Sequence, residues 1–351
     1  MMLLKELLDM TINKKASDLH LTVGTPPVIR VNGELSVLDY NKLSAEDTER
    51  YAKEILGESY DKYKEEGEID TSYSIGGIGR FRVNIFTQRN STAIAIRVIP
   101  LKVSTLDELN HPKVLKSLVE KKRGLVVVTG PTGSGKSTTL AAMINEINAT
   151  RSSHIVTLEE PIEYLHKHNK SIINQREIGK DTKNYRTALK SALREDPDVI
   201  LIGEMRDLET ISIAITAAET GHLVLSTLHT IGAAKTIDRI IDVFPQHQQQ
   251  QIRLQLSAVM QGIVSQQLLP RKDENGRISA LEIMVATPAI QSLIREGKTH
   301  QIESLIQTGS KYGMKTMDMA LVELYKNNTI SEETLYTYAV DKDMVSRLVL
   351  L

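Results

Sequence analysis

Leu125-Val-Val-Val-Thr-Gly130-Pro131-Thr132-Gly133-Ser134-Gly135-Lys136-Ser137-Thr138 is the stretch around which the rest of the chain must fold. Its first four residues are apolar without alternation, the pattern of a strand buried on both faces. After Thr129, Gly130 to Ser137 match G-x-x-x-x-G-K-[ST] without mismatch, and a helix is expected to begin near Lys136. Glycines at 130, 133 and 135 let consecutive backbone N–H groups point into one concavity, which with the helix N-terminus attracts phosphate oxygens. Residues Gly130 to Thr138 are thus the candidate ATP-binding set. Within it, Lys136 would reach the β/γ-phosphates and Ser137 would ligate Mg²⁺.

Further apolar runs, Ile155–Leu158, Val199–Ile202 and Leu223–Leu225, alternate with helical stretches. This predicts an α/β domain with a mainly parallel sheet, whose ligands lie at the carboxyl ends of the strands. The run Asp198-Val-Ile-Leu-Ile-Gly-Glu204-Met-Arg-Asp207 delivers Glu204 to such an end. There it could orient the attacking water and reach Mg²⁺ through water, or simply cap the next helix. Glu159, Glu160 and Glu163 follow another strand. They are either a solvated loop or a second Mg²⁺- or water-positioning cluster, since three close carboxylates repel unless solvated or facing a cation. His222 and His229, seven apart, lack metal-ligand spacing; they are read either as structural hydrogen-bonding groups or as γ-phosphate sensors at a strand end. After Pro245, Ile252, Leu256, Val259, Met260, Ile263 and Val264 predict one long amphipathic helix. Gln266–Leu269 and Ile278–Val285 predict a hairpin around Asp273-Glu-Asn-Gly276, and small helices with glycine breaks fill 288–351.

Residues 1–100 predict a smaller α+β module. Leu3, Leu4, Leu7, Leu8 and Ile12 have helical spacing, Asp18–Val23 alternates, and Asn32-Gly33 marks a hairpin turn between Val28–Val31 and Leu35–Leu38. Ser44 with Asp47 signals a capped helix, and strands follow at Thr71–Ile75, Arg80–Phe86 and Thr92–Ile99. Pro100 to Pro112 reads as an extended connector, so 101–112 is taken as a linker and 113–351 as the second domain.

The chain has 351 residues, no cysteine, no tryptophan and a net charge of −1. Absent cysteine excludes disulfides, thiolate metal sites and a cysteine nucleophile. Near-neutral charge and scarce aromatics disfavour a nucleic-acid partner. Apolar runs far shorter than about 18–20 residues, and a charged N-terminal stretch, predict a soluble cytoplasmic protein that meets a membrane only through partners.

In order and spacing, these four boxes resemble the secretion and type IV pilus ATPases, most closely the PilT family of pilus retraction ATPases. The segments 155–163, 198–207 and 220–230 correspond to that family's Asp, Walker B and His boxes; Gly203–Asp207 and Ser226–Thr230 are characteristic. The resemblance implies a homohexamer of subunits, each with a PAS-like N-terminal domain and a RecA-like P-loop ATPase domain. It implies retraction of type IV pili (twitching motility) at the inner face of the cytoplasmic membrane, through an inner-membrane platform protein, with pilin handled indirectly. A sister ATPase driving pilus extension or type II secretion is the alternative. By the same resemblance Arg80, Arg82 and Arg97 reach nucleotide, although alone they read equally as solvent-facing strand residues. Gln291 stands where the family usually has arginine in its AIR motif, Ala289-Ile290-Gln291 here.

Overall fold

The computed structural model describes residues 3–31, 33–99, 102–273 and 276–350. They form two compact units, Met1–Lys102 with Glu163–Leu165, and Val103–Ile162 with His166–Leu351.

The first unit runs α1 (Leu4–Asn13), β1 (Asp18–Leu21), β2 (Val28–Val31), β3 (Glu34–Val37), α2 (Ala45–Leu56), α3 (Tyr60–Glu66), β4 (Glu68–Ile75), β5 (Gly79–Gln88) and β6 (Ser91–Ile99). Its sheet is antiparallel throughout, in the order β3-β2-β1-β6-β5-β4. Alternation decides its faces: Phe81, Val83 and Ile85 are fully buried against Leu4, Leu7 and Leu8 of α1 and Tyr51, Ala52 and Ile55 of α2. Ser44 caps α2 by accepting from the Asp47 N–H while the Asp47 carboxylate accepts from the Ser44 N–H, at 3.2 and 2.9 Å. Asn32, expected in the first hairpin turn, lies outside the described residues.

The second unit runs α4 (Val114–Val119), β7 (Gly124–Thr129), α5 (Lys136–Thr150), β8 (His154–Glu159), β9 (Ile172–Glu177), α6 (Tyr185–Ala192), β10 (Val199–Ile202), α7 (Leu208–Glu219), β11 (Leu223–Leu228), α8 (Ala233–Asp242), α9 (Gln246–Val259), β12 (Met260–Pro270), β13 (Arg277–Val285), α10 (Pro288–Glu296), α11 (Ile302–Gln307), α12 (Met317–Lys326), α13 (Glu332–Tyr338) and α14 (Lys342–Leu350). Its sheet order is β13-β12-β7-β11-β10-β8-β9, parallel except for β13. The continuous apolar runs hide a period of two. Leu125, Val127, Ile200, Ile202 and Val224 enter one core, whereas Val126, Val128, Val199, Leu201, Leu223 and Leu225 enter the other. Helices cover both faces, and β7 lies in the sheet interior.

Two expectations fail here. The long helix predicted past Val259 stops there: Met260 turns extended, and Gly262, Ile263 and Val264 pair parallel with Val126, Val127 and Val128 of β7. Backbone pairing to a buried strand outweighs a helical period that happens to continue in phase. Nor is the stretch before α4 extended. Thr105 and Glu108 exchange backbone-to-side-chain hydrogen bonds at 2.8 and 3.1 Å, and Leu106 is buried in the second unit's core. Pro100 and Leu101 lie outside the described residues.

Candidate active site

Register assembles the site. Thr129 of β7 lies beside Leu228 of β11, and Ile202 of β10 lies between Ser226 of β11 and Leu158 of β8. The carboxyl ends of these strands therefore present one edge of groups: the glycine-rich loop, His229, Glu204 and Glu159. The Gly130 N–H donates to the Leu228 carbonyl at 3.3 Å, and the Met205 N–H to the Thr227 carbonyl at 3.2 Å. Ser226 and Thr227 hydroxyls donate to the Ile202 and Gly203 carbonyls at 2.8 and 2.6 Å, stitching β11 to β10.

In the loop, Gly130 has φ 142°, and a Cβ there would fall 2.2 Å from the Gln266 carbonyl oxygen. No other residue fits. Lys136 opens α5, largely buried, and its Nζ donates to the Gly130 and Pro131 carbonyls at 2.8 and 3.0 Å. Pro131, Thr132 and Gly133 form the exposed rim; Ser137 and Thr138 sit half-buried in the first turn of α5. The buried Ser134 Oγ has no hydrogen-bond partner among the described residues. The N-terminal turn of α5 and this polar, glycine-lined concavity fit a phosphate group. Among the described residues no cluster of three His, Asp or Glu could hold a metal by itself. A divalent cation here would draw on the Ser137 hydroxyl, nucleotide oxygens and water.

Glu204 is held from two sides. Arg206 Nε donates to its Oε2 at 2.8 Å, and His229 Nε2 stands 3.1 Å from its Oε1. The Glu204 bond holds the Arg206 guanidinium above its ordinary pKa. A cleft of about 370 Å³ opens beside the group, lined by Glu204, Arg206, His229, Thr230 and Arg239 among others. Asp207, by contrast, caps α7 through the Thr210 N–H at 2.8 Å.

The other predicted residues separate. Glu159 Oε1 accepts from the Thr157 hydroxyl and the Gln175 amide at 2.6 and 3.1 Å. Glu160 is exposed, and exposed Glu163 is grouped with the first unit. The two histidines do not share a strand end. His229 follows β11, whereas His222 precedes it, about 20 Å away by strand rise. His222 Nδ1 instead meets the Ala217 carbonyl at 2.9 Å, a helix-end contact. Within the first unit, Arg82 and Arg97 are paired residues on neighbouring strands, with Arg80 two residues along on the same face. Arg97 Nε donates to Asp18 at 2.9 Å, and Arg80 donates to Ser72 and Ser74 at 2.8 and 3.3 Å. Despite the opposing effect of burial, hydrogen bonds from Ser17 and Arg97 hold the Asp18 carboxyl below its ordinary pKa.

Sequence reasoning missed Tyr185 and Gln266. The Tyr185 hydroxyl lies 2.9 Å from where a Cβ on Gly203 would stand, and the Leu158 carbonyl oxygen is 3.2 Å from that point. Burial, then the charge of Glu160, raises the Tyr185 pKa, which keeps the phenol protonated. Arg206, in plain view within Gly203–Asp207, was legible as a partner for Glu204 once both were placed after one strand.

A phosphate loop and a paired acidic strand end on one parallel sheet place this fold among the P-loop nucleoside triphosphatases. Residues 2–334 match the family described as Type II/IV secretion system protein. The type IV pilus retraction ATPase PilT of Pseudomonas aeruginosa is 50% identical over 329 residues, 93% of this chain and 95% of its own. A twitching motility protein of Neisseria gonorrhoeae is 48% identical, over 91% of this chain and 86% of its own. A crystal structure of the pilus retraction motor PilT with bound ADP superposes with a TM-score of 0.93 at 47% identity, covering 99% of this chain and 100% of that one. The chain belongs to this secretion-system family, on its PilT-type retraction branch, and is an ATPase.

Proposed function

We propose that the chain works as a homohexameric motor that binds and hydrolyses ATP to drive type IV pilus retraction. The observation that carries the chemistry is Glu204, fixed between Arg206 and His229 at the end of β10, with β11 alone separating β10 from the phosphate-loop strand. Loop N–H groups and the start of α5 bind the phosphates, and Lys136 trades the Gly130 and Pro131 carbonyls for β/γ-phosphate oxygens. Glu204 orients the attacking water and accepts its proton. The imidazole of His229, touching Glu204 on one side and the cleft on the other, registers the γ-phosphate. Mg²⁺, held by Ser137 and through water by Glu204, would neutralise charge on the β- and γ-oxygens.

A subunit loop with one lysine leaves transition-state charge for arginines to stabilise, and Arg80, Arg82 and Arg97 are assigned that role from a neighbouring subunit. Glu160 and Glu163 are assigned to water or cation positioning. Force passes to an inner-membrane platform protein and so to pilin at the cytoplasmic face of the membrane. Among the described residues no helix is long and apolar enough to cross a membrane, which supports attachment through partners. No nucleic acid is involved.

Lys136→Ala is expected to abolish ATP hydrolysis in the purified folded protein; unchanged turnover removes the phosphate-site reading. Deleting the gene should leave surface pili and abolish twitching. Loss of pili would indicate extension instead.

A further inference from the structure

Strand β12 touches the phosphate loop through both halves of one residue. The Gln266 carbonyl walls Gly130, and its side chain, 2% exposed, reaches the loop's far end. Gln266 Nε2 donates to the Ser134 carbonyl at 2.7 Å, and Gln266 Oε1 accepts from the Thr139 hydroxyl at 2.7 Å. A carbonyl can only accept, so the amide nitrogen must face Ser134 and the oxygen must face Thr139. The single Thr139 proton is then committed to Gln266. His111 Nε2, 2.9 Å from the Thr139 oxygen, must therefore carry the ring proton and donate it. Its Nδ1, a buried acceptor, has no partner among the described residues. Burial pushes the His111 imidazole down to about 4, so the neutral ring this chain requires is the form present near pH 7.

The polarity is continuous: His111 donates to Thr139, Thr139 to Gln266, and Gln266 to the loop backbone at Ser134. The chain starts in the segment just before α4, outside the phosphate motif, and ends on the carbonyl next to Gly135.

We infer that Gln266 is a positioning residue for the phosphate loop, oriented by Thr139 and His111, so that the segment before α4 sets how tightly the loop holds nucleotide. The inference rests on the reading of 130–138 as the phosphate site. A buried hydrogen-bond chain that merely stabilises the core would affect melting but not nucleotide affinity.

The test titrates the full chain with a fluorescent ADP analogue. His111→Leu and Thr139→Val, which cannot donate to their neighbours, should weaken binding about threefold to tenfold, the scale of one lost hydrogen bond. His111→Gln, whose amide can still donate to Thr139, should bind within about twofold of the parent. In the parent protein the ¹⁵N resonance of His111 Nε2 should shift on saturation with ADP. Equal affinity in all three variants, or a His111→Gln defect as large as that of His111→Leu, overturns the inference. If the Leu and Val variants do not fold, the parent resonance decides, and one indifferent to ADP overturns it. Failure of the parent to bind ADP would instead remove the phosphate-site reading, and this inference with it.

Discussion

Neighbouring parallel strands β8 and β10 run in register, Leu158 beside Ile202, and each delivers a carboxylate to the same edge of the sheet. At the β10 end Glu204 is held by a guanidinium and an imidazole on the wall of a cleft. At the β8 end Glu159 is held by a hydroxyl and an amide, and that amide's Oε1 accepts from the His166 N–H at 2.8 Å. Partners that face a cleft can be exchanged for phosphate or water as a reaction proceeds. The Gln175 amide that donates to Glu159 is itself tied to the backbone, so moving it would loosen the fold locally. Residue type and sheet position are shared; the two carboxylates differ in the partners that hold them.

The widest gap between the two ends should appear in turnover. Glu204→Gln keeps the shape but removes the proton acceptor, and kcat is expected to fall by about 10²–10⁴-fold with ATP affinity little changed. Near-normal kcat in that variant, with the loss found in Glu159→Gln instead, would reverse the comparison. Next comes acid sensitivity on the β8 side. Burial pushes the His166 imidazole down to about 4. As pH falls below about 6.5 the unfolded chain takes up the proton first, so stability is lost between about 6.5 and 4. The slope is at most about 1.4 kcal/mol per pH unit for this group. Urea midpoints at pH 7, 6 and 5 should fall less steeply in His166→Gln; identical slopes would show that another group governs the acid limb. The smallest effect is expected for Glu159→Gln, which still offers an acceptor oxygen to Thr157 and Gln175: turnover within about twofold and a stability cost below about 1 kcal/mol. A large catalytic loss there would erase the distinction.

Much of this edge was legible in sequence because its signals are local. The loop motif and the apolar runs before Gly130 and Gly203 each occupy a few adjacent residues. The rest depends on partners distant in the chain. Gln266 meets Ser134 across 132 residues of sequence, which no short window contains. The α9–β12 junction misleads because Met260, Ile263 and Val264 continue the helical phase of Ile252, Leu256 and Val259. Gly262 is the one local hint, and the decisive contact is with β7. His222 and His229 look alike in sequence because spacing cannot say which histidine precedes a strand and which follows it.

Gly203 carries no reactive group, yet a methyl there would crowd the Tyr185 hydroxyl at 2.9 Å and the Leu158 carbonyl oxygen at 3.2 Å. That carbonyl is backbone of the adjacent strand, which cannot swing aside as a side-chain tip can. Any side chain at 203 therefore requires Tyr185 and the β8 backbone to give by a few tenths of an ångström. A mutational screen scored by twitching should find this silent position restrictive, and for a reason of space instead of chemistry.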